Sequence, residues 1–282
     1  MTDHHRNFFV VGSASTLQQV IKTRLFQTSH CRVLLHFEPT PQYILRNSLV
    51  GIDVLLRTVL STNYQNVAVD LYVPYLFFSI FQFGLDPEQL EVRRESVHGL
   101  AIRKFGAYAT SHCRSPHRTD FYNFIADEYK VLDALDVKCG DLDHVVDSTR
   151  MRGDEKEWMH NVIGMFGKYK FAFVFESFNI PGYISEKILV ARLAGSIPVY
   201  YGDDIVNKYV NREAYINCSP HQNETQAIAF NRCLKTIRSL DQSDDAWFSM
   251  YSSTFLTEAA HLEMQQIIDT LRTFVQNISY EA

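Results

Sequence analysis

The chain has 282 residues, 46% hydrophobic and 21% charged, a composition that suits a soluble globular protein with one large core or two small ones and rules out a disordered chain. Its 27 Lys and Arg against 32 Asp and Glu leave a net charge of -5, so the basic excess that a nucleic-acid binder turns toward phosphates is missing. No stretch approaches the ~18 apolar residues of a membrane span, and Phe8-Phe9-Val10-Val11-Gly12 is too short for a signal-peptide core.

From the N-terminus, Phe8 to Val11 reads as a buried strand. Ser15 and Gln18 then form a capping box ahead of Leu17, Val20, Ile21 and Leu25 at helical spacing. Val33 to Phe37 is the next strand, ended by Glu38-Pro39-Thr40-Pro41, and Val67 to Tyr72 is a third, closed by Pro74. Residues 85–104 are charged and irregular and read as a surface stretch, and Phe105 to Thr110 as a short strand. Asp120 to Leu135 reads as one helix with Phe121, Phe124, Ile125 and Tyr129 on a face. Gly140 to Gly153, holding Asp141, Asp143, Arg150 and Arg152, reads as a loop.

The clearest unit follows. Phe171 to Phe175 is an unbroken apolar strand, as expected where both faces of a parallel sheet are covered. A turn from Glu176 to Gly182 leads to a helix from Glu186 to Ala194, Gly195 suits its end, and Ile197 to Tyr201 is a second strand. Two or three amphipathic helices complete the chain. Alternating strands and helices in both halves predict two parallel-sheet domains, 1–145 and 146–282. In such sheets ligands bind beyond the carboxyl ends of strands, which points to Glu38, Glu176 to Lys187, and Gly202 to Asp204.

Chemistry concentrates at the start of the helix after Phe175. With Ser185 as N-cap, Lys187 falls in the first turn, where the helix dipole disfavours a cation unless an anionic ligand is present. Backbone N–H groups, a hydroxyl and an ammonium would then converge on a phosphate; the plain alternative is a solvated Lys187 paired with Glu186. Glu186 is placed to accept from a ribose diol, and Tyr183 to stack on a base or cover a pyrophosphate, although either residue could be structural. Arg150 or Arg152 would supply a second cation to a departing diphosphate. Glu38, at the end of a strand, is a candidate general base for an acceptor hydroxyl, against the alternative of a surface carboxylate capping a turn. Asp141-Leu142-Asp143 follows no convincing strand and reads as loop solvation, and His112, Cys113 and His117 have no metal-ligand spacing, so no protein-bound metal is expected. The five cysteines, Cys31, Cys113, Cys139, Cys218 and Cys233, contain no CxxC pair and read as free thiols in a reducing compartment. The sequons at Asn217, Asn223 and Asn277 would matter only in a secreted chain.

The stretch from Tyr169-Lys170-Phe171 through Phe175-Glu176-Ser177, then Tyr183-Ile184-Ser185-Glu186-Lys187, then Ile197-Pro198-Val199-Tyr200-Tyr201-Gly202, resembles the donor-site signature of the α-1,3-fucosyltransferases. Two weaker stretches agree in order: Arg32 to Pro39, and Phe105 to Ser111 followed by Arg118-x-x-Phe121-Tyr122. The resemblance implies an α/β fold of the GT-B type, two Rossmann-like domains facing a cleft with the N-terminal one shortened. It implies an inverting transfer from GDP-fucose to an oligosaccharide or glycoprotein glycan, without a required cofactor; a divalent metal would at most stimulate. Glu38 would be the base, Lys187 with Arg152 or Arg150 would hold the diphosphate, Glu186 would bind ribose, and Tyr183 would lie against the nucleotide, with Glu176, Ser177 and Ser185 completing the donor side. Ser177 and Phe178 depart from the family's Asn-Ser, and the Ala-Gly-Ser-Ile-Pro-Val layout is shared with exostosin-like transferases, so a UDP-sugar such as UDP-xylose is the alternative donor. A non-catalytic sugar-nucleotide or glycan-binding protein is the second alternative. A nucleotide-dependent oxidoreductase is disfavoured, because no G-x-G-x-x-G follows Phe8 to Gly12 or Phe171 to Phe175. The chain is expected to be soluble, cytoplasmic, or Golgi-lumenal if trimmed from an anchored enzyme.

Overall fold

The computed structural model describes residues 8–11, 31–36, 52–60, 67–90, 103–109, 116–135, 145–147 and 155–280, with the single positions 27 and 29. The chain divides into two compact units, the first made of Met1–Phe78, Ile180–Ile184 and Leu262–Ala282, the second of Ser79–Asn179 and Ser185–His261.

The first unit holds a four-stranded sheet in sequence order: β1 (Phe8–Val11), β2 (Cys31–His36), β3 (Val54–Arg57) and β4 (Val69–Tyr72). Every neighbouring pair is parallel. Leu34 and Leu55, paired in register, are fully buried at its centre. Beside them Arg57 donates to Asp70 at 2.6 Å, a buried ion pair bridging β3 and β4. Helix α1 (Tyr75–Gln82) starts directly after Pro74, whose carbonyl accepts from the Phe77 and Phe78 amides. β3 was not anticipated from sequence. The expected capping box at Ser15 and Gln18, with its helix, falls outside the described residues.

The second unit is built on six parallel strands. In chain order these are β5 (Lys104–Ala109), β6 (Asp133–Leu135), β7 (Val145–Asp147), β8 (Tyr169–Phe175), β9 (Ile197–Tyr201) and β10 (Ile216–Asn217). Their spatial order is β10-β9-β8-β5-β6-β7. The chain winds outward from β5 in one direction, returns to β8 and winds outward in the other, which is the doubly wound Rossmann order. The helices are α2 (Pro116–Glu128), α3 (Glu155–Phe166), α4 (Lys187–Leu193), α5 (Val206–Tyr209), α6 (Gln226–Asp241) and α7 (Asp244–Tyr251), while α8 (Glu258–Tyr280) runs on into the first unit.

Residues on β8 alternate across the sheet. Phe171, Phe173 and Phe175 enter an aromatic core with Phe121 of α2 and Phe230 of α6, whose rings meet edge to face at 4.6 Å. Ala172 and Val174 fall on the opposite face, where α3 and α4 pack on the strand. Burial on both faces explains why β8 reads as an unbroken apolar run. At the end of α4, Gly195 has a φ of 75°. Its amide donates to Arg192 O and that of Ser196 to Ala191 O, the paired bonds that close a helix on a left-handed residue.

Three expectations are corrected here. The helix expected over Asp120 to Leu135 stops at Glu128, and Asp133–Leu135 leaves it to pair with β5; Leu132, Ala134 and Leu135 are buried in the sheet's core, not along a helix face. The loop expected over Gly140 to Gly153 contains β7, paired with β6. The boundary expected at 145/146 therefore falls inside the second unit, because β6 and β7 bond to each other across it and β5 lies beside β8. A fourth correction concerns the thiols: Cys218, at the end of β10, and Cys233, on the face of α6 that covers it, form a disulfide with Cα atoms 5.1 Å apart. Cys31 is a free buried cysteine. Among the sequons, Asn217 uses its Oδ1 to accept from the Ser219 amide, while Asn223 stands exposed with a φ of 67°.

Candidate active site

β5 and β8 flank the switch point of the second sheet, and a cluster of polar side chains gathers at their carboxyl ends. Glu176 follows β8 directly, and its amide donates to Tyr201 O at 2.8 Å, extending the ladder by one residue. That places its side chain in the core, 0% exposed. Its Oε1 accepts from the Ser185 amide at 2.7 Å and the Tyr200 hydroxyl at 3.4 Å. Its Oε2 accepts from the Ser185 hydroxyl at 2.7 Å and Lys187 Nζ at 3.5 Å.

Lys187 Nζ also donates to Ser185 Oγ at 2.9 Å and lies 3.7 Å from Glu186 Oε1. Burial works against its charge, but the Glu186 and Glu176 carboxylates more than offset that and hold its pKa above the usual lysine value. The ammonium is thus protonated while a quarter of its side chain stays exposed. Ser185 is not the N-cap that its sequence position suggested. Glu186 occupies that place without a side-chain cap of its own, while the Ser185 hydroxyl donates to Glu176 and accepts from the Lys187 ammonium at 2.9 Å and, more weakly, from the Lys187 amide at 3.4 Å.

On the other side of the switch point, α2 brings His117 and Arg118. Arg118, 4% exposed, donates to Phe175 O at 2.6 Å and Ser177 Oγ at 2.9 Å. His117 stacks on Tyr201 with ring centroids 4.6 Å apart, and its Nε2 bonds to Glu176 O at 3.0 Å. Burial lowers its pKa, against the pull of that hydrogen bond. Burial and the Glu176 charge raise the Tyr200 phenol well above its normal value, so it donates to Glu176 as a neutral hydroxyl.

Among the residues expected to form the site, Glu176, Ser177, Ser185, Glu186 and Lys187 come together here. Tyr183 belongs to the 180–184 segment grouped with the first unit and is buried. Glu38, Arg150 and Arg152 lie outside the described residues, as do Asp141, Asp143, His112 and Cys113. Gly202 is tied through both its amide and its carbonyl to the Ser219 hydroxyl, and Asp203 accepts from the Ile205 amide at the start of α5, so both serve the turn. His117, set aside in the sequence for want of metal-ligand spacing, is a member of this cluster that the sequence reading missed, and Arg118 was visible only within the Arg118-x-x-Phe121-Tyr122 segment. Among the described residues no group of three or more His, Cys, Asp or Glu is placed to hold a metal ion, and no helix is long and apolar enough to cross a membrane.

Residues 102–274 match the C-terminal model of glycosyltransferase family 10 (fucosyltransferase). A protein of Acanthamoeba polyphaga mimivirus named as a fucosyltransferase is 26% identical over 251 residues, 86% of this chain and 37% of that protein. The α-(1,3)-fucosyltransferase FucT of Helicobacter pylori is 28% identical over 134 residues, 48% of this chain and 25% of that protein. The matched stretch is thus well under half the length of either relative. A crystal structure of an α1,3-fucosyltransferase with GDP shares the fold with a TM-score of 0.60 at 16% identity, covering 98% of this chain and 79% of that one.

Proposed function

The chain belongs to glycosyltransferase family 10, the fucosyltransferases, and from that premise we propose that it moves fucose from GDP-fucose to a glycan hydroxyl with inversion at the anomeric carbon. The observation that carries this reading is a lysine, Lys187, held on the Glu176 carboxylate at the carboxyl end of β8 beside the switch point of a Rossmann-ordered sheet. That is where a doubly wound sheet takes its nucleotide. Lys187 meets the leaving diphosphate, and Glu186, next to it and largely buried, accepts from the ribose.

Lys187 and Arg118 balance Glu176 and Glu186 in formal charge within the described cluster. A diphosphate leaving group therefore calls for a further cation, the role of Arg152 or Arg150. Glu38, two residues beyond the end of β2, takes the proton of the acceptor hydroxyl. The oxygen then bonds to the anomeric carbon as the bond to the diphosphate breaks, and the electron pair leaves with the phosphate. An oligosaccharide or glycoprotein glycan is the acceptor.

Melting of the full chain with GDP, UDP, GDP-fucose and UDP-xylose tests the proposal, because a ligand that binds only the folded state at a hundred times its Kd adds about 2.7 kcal/mol. GDP and GDP-fucose should raise the melting temperature, and Lys187→Ala should abolish both that rise and turnover. Wild-type GDP affinity in Lys187→Ala would remove the lysine from the site. Stabilisation by the UDP ligands alone would move the donor to a UDP-sugar, the alternative that the departures at Ser177 and Phe178 and the Ala-Gly-Ser-Ile-Pro-Val layout leave open. Binding without transfer to any acceptor would make the chain a sugar-nucleotide-binding protein.

A further inference from the structure

Glu176 reads from sequence as a donor ligand, yet it has no surface to offer one. Its carboxylate is completely enclosed, and a carboxylate offers roughly four lone-pair directions. Four donors take them: the Ser185 amide, the Ser185 hydroxyl, the Tyr200 hydroxyl and the Lys187 ammonium.

The direction of the bonds is forced. Lys187 Nζ can only donate, and Ser185 has a single hydroxyl proton. Because that proton goes to Glu176 at 2.7 Å, the oxygen's lone pairs face Lys187, which donates to it at 2.9 Å. Glu176 thus fixes Lys187 twice, through its own charge and through the orientation it imposes on Ser185. The carboxylate is fixed in turn, since the Glu176 amide and carbonyl are bonded to Tyr201 and His117. A free lysine has four rotatable side-chain bonds to lose on meeting a ligand, and this arrangement freezes them beforehand.

We propose that Glu176 is a positioning residue, whose buried carboxylate holds the Lys187 ammonium, directly and through the Ser185 hydroxyl, in one geometry for the diphosphate of the donor nucleotide. This rests on Lys187 being the diphosphate ligand, as argued above. It also makes a prediction whose sign is not the electrostatic one. Removing a negative charge next to a phosphate site should by itself tighten an anion. Positioning predicts the reverse, because the amide of Glu176→Gln turns a donor toward Ser185 and Lys187 and releases the ammonium.

The test is titration calorimetry of the full chain with GDP and UDP for wild type, Glu176→Gln, Ser185→Ala, Lys187→Ala and the Glu176→Gln/Lys187→Ala double variant. Losing one hydrogen bond from a charged group to a ligand costs about tenfold to a hundredfold in affinity. Glu176→Gln should weaken the nucleotide that wild type binds by that factor, and Ser185→Ala, which keeps the carboxylate and its bond to the Ser185 amide, should weaken it by a smaller one. The double variant should bind no more weakly than Lys187→Ala does, because what the carboxylate adds to binding runs through the lysine, while its own charge only opposes the diphosphate. Affinity that is unchanged or tighter in Glu176→Gln, or losses that add in the double variant, would overturn the proposal. If Glu176→Gln does not fold, Ser185→Ala decides: wild-type affinity there overturns it. The two readings fail separately, since wild-type affinity in Lys187→Ala defeats the donor-site assignment, whereas a loss in Lys187→Ala alone defeats only the positioning role.

Discussion

His36 ends β2 with its imidazole 1% exposed, and neither ring nitrogen has a hydrogen-bond partner among the described residues. Its register neighbour Arg57 is occupied with Asp70 and Val59 O, and the Thr58 amide and hydroxyl bond to the His36 carbonyl, not its ring. Burial pushes the imidazole pKa down to about 4, from an ordinary value of 6.5. The unfolded chain therefore takes up a proton at this residue as pH falls through 6.5, while the folded chain does not until about 4. Stability should fall across that window by about 3 kcal/mol. In His36→Leu that contribution should vanish, and because two orphaned nitrogens go with it, the variant should be at least as stable at pH 7. Urea unfolding at pH 7 and 4.5, followed by circular dichroism in both proteins, checks this: equal pH dependence would show that His36 is not held neutral. Such burial is invisible in a sequence, where Val-Leu-Leu-His gives only a strand with a polar end. The site divides the same way. Lys187 and Glu186 could be picked out because a cation in a helix's first turn stands out against the dipole. The enclosure of Glu176 and the stacking of His117 on Tyr201 are products of chain reversal, with nothing local to announce them.

At the scale of elements, α4 shows how a short helix is locked into place. Arg192, in its last turn, is 3% exposed and donates to Tyr251 O at 2.6 Å and Ser253 O at 2.9 Å. Those carbonyls sit at and just past the end of α7, where helical partners run out. The guanidinium also lies over the rings of Tyr251 and Phe255, at 5.8 and 5.5 Å. Arg192→Met keeps much of the side-chain volume but strands these carbonyls, and should cost about 3 kcal/mol in urea unfolding. A loss under half of that would mean the carbonyls find other donors. The elements that sequence foretold were those with a strong pattern, above all β8, α4 and β9. β3 and β7 went unseen because four and three residues are too few to establish a period. β6 was hidden by the apolar spacing of α2 running on past its end, and only pairing with β5 separates the two.

For the molecule as a whole, the division into units follows sheet membership and not the polar run near residue 145. A fragment of residues 146–282 would lack β5, the strand between β8 and β6, and α2 with Phe121, which links Phe175 to Phe230 in the core. Expressed alone, it should show no cooperative melting and no near-ultraviolet dichroism; a sharp transition would mean that β8, β9 and β10 form a sheet without their neighbours. The polar composition of 140–153 suggested a loop at a domain boundary, and composition does not distinguish such a loop from a stretch that holds a short strand of the same sheet. The tryptophans fall unevenly over the same division. Trp158 and Trp247 are the two in the chain, and both belong to the second unit, Trp247 fully buried and stacked on Tyr251 at 4.8 Å. Indole fluorescence is therefore a private signal of the second unit: an emission change tracks the loosening of its core, while the first sheet can lose its structure in the dark.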